Sequence, residues 1–532
     1  MDDFLTTETI FSDKLIDISN VDFESLKHDV GVSTTLKEVH YACAKLSKLY
    51  WVGEVAASGV PNMLSIISRR SMQIYKSGNI VPRFELQHMH NIVHYVDVFC
   101  NIFISQMHSG NVSDIMALHG TFSIHIEPNL MSMIEESFIR TTNFTLPGTF
   151  SAILWSYAKL SISPSPDLWN LLRYYIFCKL KYFCPSTVVS IMWSIATMRM
   201  ADKDVQIAIL QQIPNVIFCL NHMQISKVVW AMGVFKCYPG AEVMDCIERA
   251  VLRNGAIFHD GIAMVKVLWG FSRVLYRLPN EYLEELETCI FHRRGELMPY
   301  ALARTCWAFA SISYIVDEKF VNDVAVKIQE NVSIFTLDDF CSLIWSLAVF
   351  GLEKIEDTRF FEVVSEAIYF WQEAIKDNRR HLMQCRDFCL MSAKLSKIPE
   401  KEIPPHIAYH PEQHLDMSDF RTHVIKYVQR VIMNKTNQRY SFKACVRHKV
   451  YGFVLQMYIT DGKKEFAVEA VGPGWFCRPG THMNGHRCIR QRLIVACGIQ
   501  LIVFPFYTWY EKRMAKKLHE YVQEMLSPIL NT

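Results

Sequence analysis

Five basic side chains near the C-terminal end, Lys463, Lys464, Arg487, Arg490 and Arg492, are the residues best suited to chemistry with a polyanion. Lysine offers a compact charge, and arginine a planar fork that matches phosphate oxygens. Residues 420–532 hold 18 Lys and Arg against 6 Asp and Glu, whereas the rest of the chain holds 37 against 47. The formal net charge of +2 conceals that division. A basic end on an acidic body points to a polyanionic partner; a merely solvated basic face is the alternative. In the same stretch Cys477, His482, His486 and Cys488 have a C-x4-H-x3-H-x-C spacing. That spacing fits no standard zinc site, so no metal and no other cofactor is expected.

A second basic set is ordered by tryptophan. Trp155, Trp193, Trp230, Trp269, Trp307 and Trp345 are separated by 38, 37, 39, 38 and 38 residues. Three residues before a Trp stand Lys227, Lys266 and Arg304; four residues after one stand Lys159 and Arg273. Lys45 and Lys394 hold the latter position in weaker copies, and the Trp193 and Trp345 segments lack both. At about 100° per residue these two positions lie roughly 60° and 40° to one side of the Trp. Stacked repeats would align them into a ladder that follows a phosphate backbone. The alternative is that their stems cover the core edge while their charges stay in water.

The elements that must carry this ladder are helices. Each Trp is flanked by apolar residues at three- and four-residue spacing and followed by Ser, Ala or Gly. Pro164, Pro239 and Pro279 fall nine or ten residues after a Trp, and Pro185 and Pro299 eight before one, marking connections. Two helices and two short loops fill such a period, and stacking buries what one pair cannot. The Trp side chains are therefore expected in the core. Weaker copies centre on Tyr41, Ala117 and Leu390. The expected architecture is mainly α: an α-solenoid of about 38-residue helix pairs, then a small C-terminal α/β domain. The segments are 1–35 (acidic), 36–410 (repeats), 411–440 (linker and helix) and 441–526 (α/β). Pro404, Pro405, His406, His410, Pro411 and His414 mark the linker.

Bulk properties exclude other classes. Half the residues are hydrophobic, which rules out a disordered chain. The longest apolar run, Leu493–Phe506, is 14 residues with Gln500 and Pro505 inside it, too short for a membrane span. Sixteen scattered cysteines with no Cys-x-x-Cys pair suit reduced thiols inside a cell. Residues 1–30 carry eight acidic side chains and only Lys14 and Lys27, unlike an Arg-rich transit peptide.

The C-terminal elements read in order as a helix over Asp416–Met433, strands over Phe453–Thr460 and Glu465–Val471 joined at Asp461-Gly462, and a Gly/Pro loop. Next come a basic helix Arg487–Cys497 capped by Asn484 and ended by Gly498, a strand Ile499–Phe504, and a last helix Thr508–Leu526. FAVEAVGPGWF, HMNGHRCIRQRL and GIQLIVFPFYTW together resemble the RAP domain. The matching residues are Glu469, Gly472, Pro473, Asn484, Gly485, Arg490, Arg492, Leu493, Gly498, Pro505 and Trp509, within about residues 460–525. The resemblance implies a small RNA-binding module behind heptatricopeptide- or octotricopeptide-like repeats, as in FAST-kinase-like proteins. It also implies a mitochondrial address and a role in RNA processing, RNA stability or ribosome assembly. Partners would be single-stranded or ribosomal RNA, with ribosomal or other organellar proteins, and neither a membrane nor a small-molecule substrate.

That fold is similar to the PD-(D/E)xK nuclease core, which brings in Asp461 and Glu469 as metal-holding carboxylates. Val471 stands where the family has Asp and a nuclease would want Lys, so no catalytic residue and no enzyme activity are expected. The leading reading is a non-catalytic RNA binder that meets phosphate through Lys159, Lys227, Lys266, Arg273, Arg304, Lys463, Lys464, Arg487, Arg490 and Arg492. The alternatives are an RNA endonuclease and a protein-binding scaffold.

Overall fold

A computed structural model describes residues 22–51, 57–77, 83–141, 146–399, 404, 407, 419–435, 440–447 and 454–530. Pro405, His406, His410, Pro411 and His414 of the expected linker lie outside these residues. The described chain is mainly helical, with one small C-terminal sheet. No helix among the described residues is long and apolar enough to cross a membrane. Two compact units divide between Ala250 and Val251.

The tryptophans lie on α1 (Pro147–Leu160), α2 (Pro185–Thr197), α3 (His222–Phe235), α4 (Gly261–Arg273), α5 (Pro299–Ser311) and α6 (Leu337–Phe350). Starts are set locally. Pro147, Pro185 and Pro299 occupy the first helical position, where a missing N–H costs nothing. Asn221, Asp260 and Thr336 accept first-turn N–H groups at the others. The stops share a backbone feature. Six residues after each Trp, φ is positive: Ser161, Arg199, Lys236, Leu275, Ser313 and Gly351. Ser123 and Ser396 do the same six residues after Ala117 and Leu390. At most of these turns the next residue donates back into the helix, as Tyr276 N does to the Phe271 carbonyl (3.0 Å) and Tyr314 N to that of Phe309 (3.0 Å). A left-handed residue with this long return bond satisfies the last carbonyls and reverses the chain.

In the first unit α1 packs on α2, α2 on α3, and helix Ser109–Phe122 on α1. In the second, α4 packs on α5, α5 on α6, and α6 on α7 (Arg379–Lys394). Close approach depends on the small residue after each Trp: Ser156, Ser194, Ala231, Gly270, Ala308 and Ser346 are all buried. A Cβ on Gly120 would lie 3.2 Å from the Trp155 ring and 3.3 Å from the Ser156 Cα.

One expectation is corrected here. Trp345 is fully buried, but Trp155, Trp193, Trp230, Trp269 and Trp307 are only half-buried. The residues just before them, Leu154, Met192, Val229, Leu268 and Cys306, take the core positions. The rings lie at the core margin with an edge left to solvent.

Beyond α7 come α8 (Asp419–Lys435), β1 (Ser441–Arg447), β2 (Val454–Thr460), β3 (Glu465–Val471), α9 (Gly485–Ala496), β4 (Gln500–Pro505), α10 (Phe506–Met514) and α11 (Leu518–Met525). The sheet order is β1-β2-β3-β4, antiparallel except for the β3/β4 pair. Val424, Val428 and Ile432 of α8 pack with Met457, Ile459, Phe466, Val468, Ile502, Phe504 and Trp509 to form the core of one sheet face. Strand β1 was not anticipated, because an edge strand with no fully buried side chain among its described residues carries little apolar signal. The expected single last helix is two. Lys516 has φ +58 and Lys517 N donates to the Lys512 carbonyl (2.9 Å), so the chain turns and brings Val522 and Leu526 onto the core that holds Trp509.

Candidate nucleic-acid interface

Helix α9 begins where expected, with the Asn484 side chain accepting from Arg487 N (3.1 Å), and Gly498 (φ +81) follows its end. Its arginines are not presented to solvent, however. Arg487 is 2% exposed and donates to Glu469, which is fully buried on β3. Arg490 donates to the same carboxylate (3.2 Å) and to the Val454 carbonyl (2.6 Å). Two guanidinium groups thus neutralise one buried carboxylate and fasten α9 to β2 and β3. Arg492 donates to the Val349 carbonyl (2.6 Å), one of the carbonyls at the end of α6 that have no partner within the helix. As placed, Arg487 and Arg490 are joined to protein rather than free for a phosphate, and Arg492 is half-buried.

Glu469 is therefore a structural anion. Asp461 sits in the β2–β3 turn, where its Oδ1 accepts from Lys463 N (2.9 Å) and Lys464 N (2.8 Å). Four strand residues plus the turn separate the two carboxylates, on the order of 13 Å or more at strand rise, so they do not share a metal. Lys463 and Lys464 are exposed at that tip. The loop cysteines and histidines do not converge either. Burial pushes the Cys477 thiol up to about 12, Cys488 lies 3.3 Å from the Ser313 hydroxyl, and His486 faces Trp345. Among the described residues no group of three or more His, Cys, Asp or Glu is arranged to hold a metal ion.

Within the second unit, this loop and α9 are docked on α5 and α6. A Cβ on Gly485 would meet the Ala310 carbonyl oxygen at 1.9 Å, so the backbones touch where only glycine fits. Ser313 Oγ donates to the Met483 carbonyl (2.6 Å), Arg478 N to that of Leu275 (2.7 Å), and Arg277 N to that of Arg478 (2.6 Å). The His486 ring lies 4.3 Å from that of Trp345, centroid to centroid. This cover is why Trp345 alone of the six is fully buried.

The helical basic residues are placed differently. In the first unit Lys159 is exposed, with its ammonium 5.8 Å from the Trp155 ring, and Lys76 lies equally near. Lys227 is half-buried, as is Lys266 in the second unit. Arg273 stands 5.5 Å from both the Trp269 and Trp307 rings. Arg304 is exposed, 6.0 Å from Trp269 and 5.2 Å from Tyr300. These are cation–π distances. Among the described residues neither Arg273 nor Arg304 makes a hydrogen bond or close ion pair. Burial, and then the neighbouring Arg380, hold the Arg273 guanidinium below its ordinary pKa. Arg380 was not anticipated, since it falls at neither Trp-relative position and reaches this face from the first turn of α7.

Comparison with models of known protein families and with curated proteins returned no match to this chain.

Proposed function

We propose that the chain is a non-catalytic RNA-binding protein: a helical-repeat array of the heptatricopeptide or octotricopeptide kind with a RAP-like C-terminal domain. Its work would lie in mitochondrial RNA processing, RNA stability or ribosome assembly. The observation that carries the reading is the pairing of half-buried tryptophans with basic side chains, above all Arg273 and Arg304, neither of which makes a hydrogen bond or close ion pair among the described residues. Cationic groups beside aromatic edges suit single strands, whose phosphates and bases are both accessible. The 38-residue recurrence of Trp, small residue and left-handed turn supports the repeat reading. The helix cap at Asn484, the β3/β4 pair and Trp509 in the core support the RAP-like one.

The proposed contact surface is narrower than the full set of basic residues. Lys159, Lys227, Lys266, Arg273, Arg304, Lys463 and Lys464 remain in it; Arg487, Arg490 and Arg492 serve the fold and the docking instead. Binding of fluorescently labelled single-stranded RNA by the full chain tests the reading. Salt-sensitive binding is expected, and binding that ignores salt would remove its basis.

A further inference from the structure

The Trp-bearing face of the second unit holds more positive charge than its own protein neutralises. Arg273 at the end of α4, Arg304 on α5 and Arg380 on α7 are drawn together there: Arg380 acts electrostatically on Arg273, and Arg304 on Asp338. Asp338 is the carboxylate that faces them, and it is already engaged. It accepts from His381 Nε2 (2.7 Å) and pairs with Arg380 (3.5 Å). Although burial opposes ionisation, His381, Arg380 and Arg304 hold the Asp338 carboxyl below its usual range, so it is charged at neutral pH. His486, at the edge of the cluster, is held down to about 4 by its enclosure and by Arg380, and adds no charge. Among the described residues, three guanidinium groups against one carboxylate leave a formal surplus of two.

The half-buried Arg273 shows why that surplus matters. Its Nε is shut off from solvent with no acceptor among the described residues, while its guanidinium carbon stands 5.5 Å from the centres of both the Trp269 and Trp307 rings. A charge held so, with another arginine beside it, is stabilised by an anion from outside. The face also ends here. Trp269 and Trp307 keep an open edge, but Trp345 is covered by His486 and the docked α9. A strand passing along the open rings reaches the arginine cluster as its last position before the docked domain.

We propose that Arg273, Arg304 and Arg380 form a site for the terminal phosphate of an RNA strand, with the adjoining base against the open edge of Trp307. The inference rests on the RNA-binding reading and adds an end to it. A phosphate monoester carries about −1.5 to −2 at pH 7 and matches the surplus, whereas an internal diester carries a single charge. The chemistry is that of a monoester on either end of the strand.

The test uses the full chain and one single-stranded RNA sequence in three forms: 5′-phosphate, 3′-phosphate, and hydroxyl at both ends. One phosphorylated form should bind roughly tenfold tighter than the hydroxyl form, which corresponds to about 1.4 kcal/mol. The quantity read is the ratio between forms, which cancels any loss the forms share. In Arg273→Gln and in Arg380→Gln that ratio should fall to about one; Arg380 is exposed, so its variant keeps the test open if Arg273→Gln folds poorly. In Lys227→Gln, a stripe variant in the other unit, the ratio should persist. Equal binding of all three forms by the unaltered chain would overturn the terminal-phosphate site and leave RNA binding standing. A ratio that survives in both arginine variants would place the phosphate elsewhere and overturn it too. Failure of every form to bind would bring down the RNA reading with it.

Discussion

Two sets of arginines on the second unit look alike in sequence and behave oppositely in the fold. Arg487, Arg490 and Arg492 lie close together on a short helix with no acidic residue, yet each is tied to a protein oxygen. Arg273 and Arg304 lie on apolar helices, and among the described residues neither has a protein anion in hydrogen-bonding reach. The density of basic residues reports the charge of a segment. The position of carboxylates and helix-end carbonyls decides which of those charges remain available. Here the dense set builds and docks the C-terminal domain, and the sparse set stands beside tryptophan without a hydrogen-bonded protein anion among the described residues.

Removing the anion that holds the dense set should have the largest effect. Glu469→Ala leaves Arg487 buried without its carboxylate and should cost about 3–5 kcal/mol, read as a lower midpoint in thermal or urea unfolding. A change near zero would mean that Arg487 is solvated and free after all. Next come the tryptophans. Trp345→Ala empties a fully buried site and should cost about 3–5 kcal/mol, while Trp269→Ala, at the half-buried margin, should cost roughly half as much. Equal losses would contradict the distinction drawn between covered and open rings. Gly485→Ala forces a methyl against the Ala310 carbonyl and should cost about 1–3 kcal/mol. Hydrogen exchange would show it as faster exchange confined to the end of α5 and the start of α9; unchanged exchange would mean that the two are not in contact in solution.

The smallest effect is that of pH on docking. The His486 ring against Trp345 has its pKa lowered to about 4 from 6.5, so the folded state favours the neutral imidazole. Its contribution is complete above about 6.5 and is lost as pH falls toward 4. Exchange protection at the docked surface should therefore weaken between pH 7 and 4.5. His486→Phe, which keeps a ring but not the titration, should remove that part of the pH dependence.

The sequence located what depends on local chemistry. Tryptophan spacing marked six helices, proline and Asn484 marked starts, Asp461-Gly462 marked the β2–β3 turn, and Gly498 marked the end of α9. It missed β1, an edge strand with no fully buried side chain among its described residues, and the break at Lys516, where no glycine announces the left-handed turn. For the site, the period picked out Arg273 and Arg304 but not Arg380, which reaches the same face from a different helix position. Nor did it show that Arg492 would meet Val349, 143 residues earlier, or that Arg487 would be spent on Glu469. Such pairings are set by which surfaces dock, and no short window of sequence carries that.

On the proposed function, RNA follows the Trp-bearing helices of each unit rather than the basic helix of the C-terminal domain. The most direct test is the salt dependence of single-stranded RNA binding by the full chain, compared with a variant carrying Lys227→Glu, Lys266→Glu, Arg273→Glu and Arg304→Glu. Each phosphate contact on a single strand adds about 0.7 to the slope of log affinity against log salt. The quadruple variant, still folded by circular dichroism, should lose most of its affinity and roughly 2–3 units of that slope. An unchanged affinity and slope would contradict that reading and place the nucleic acid, if any is bound, elsewhere on the molecule.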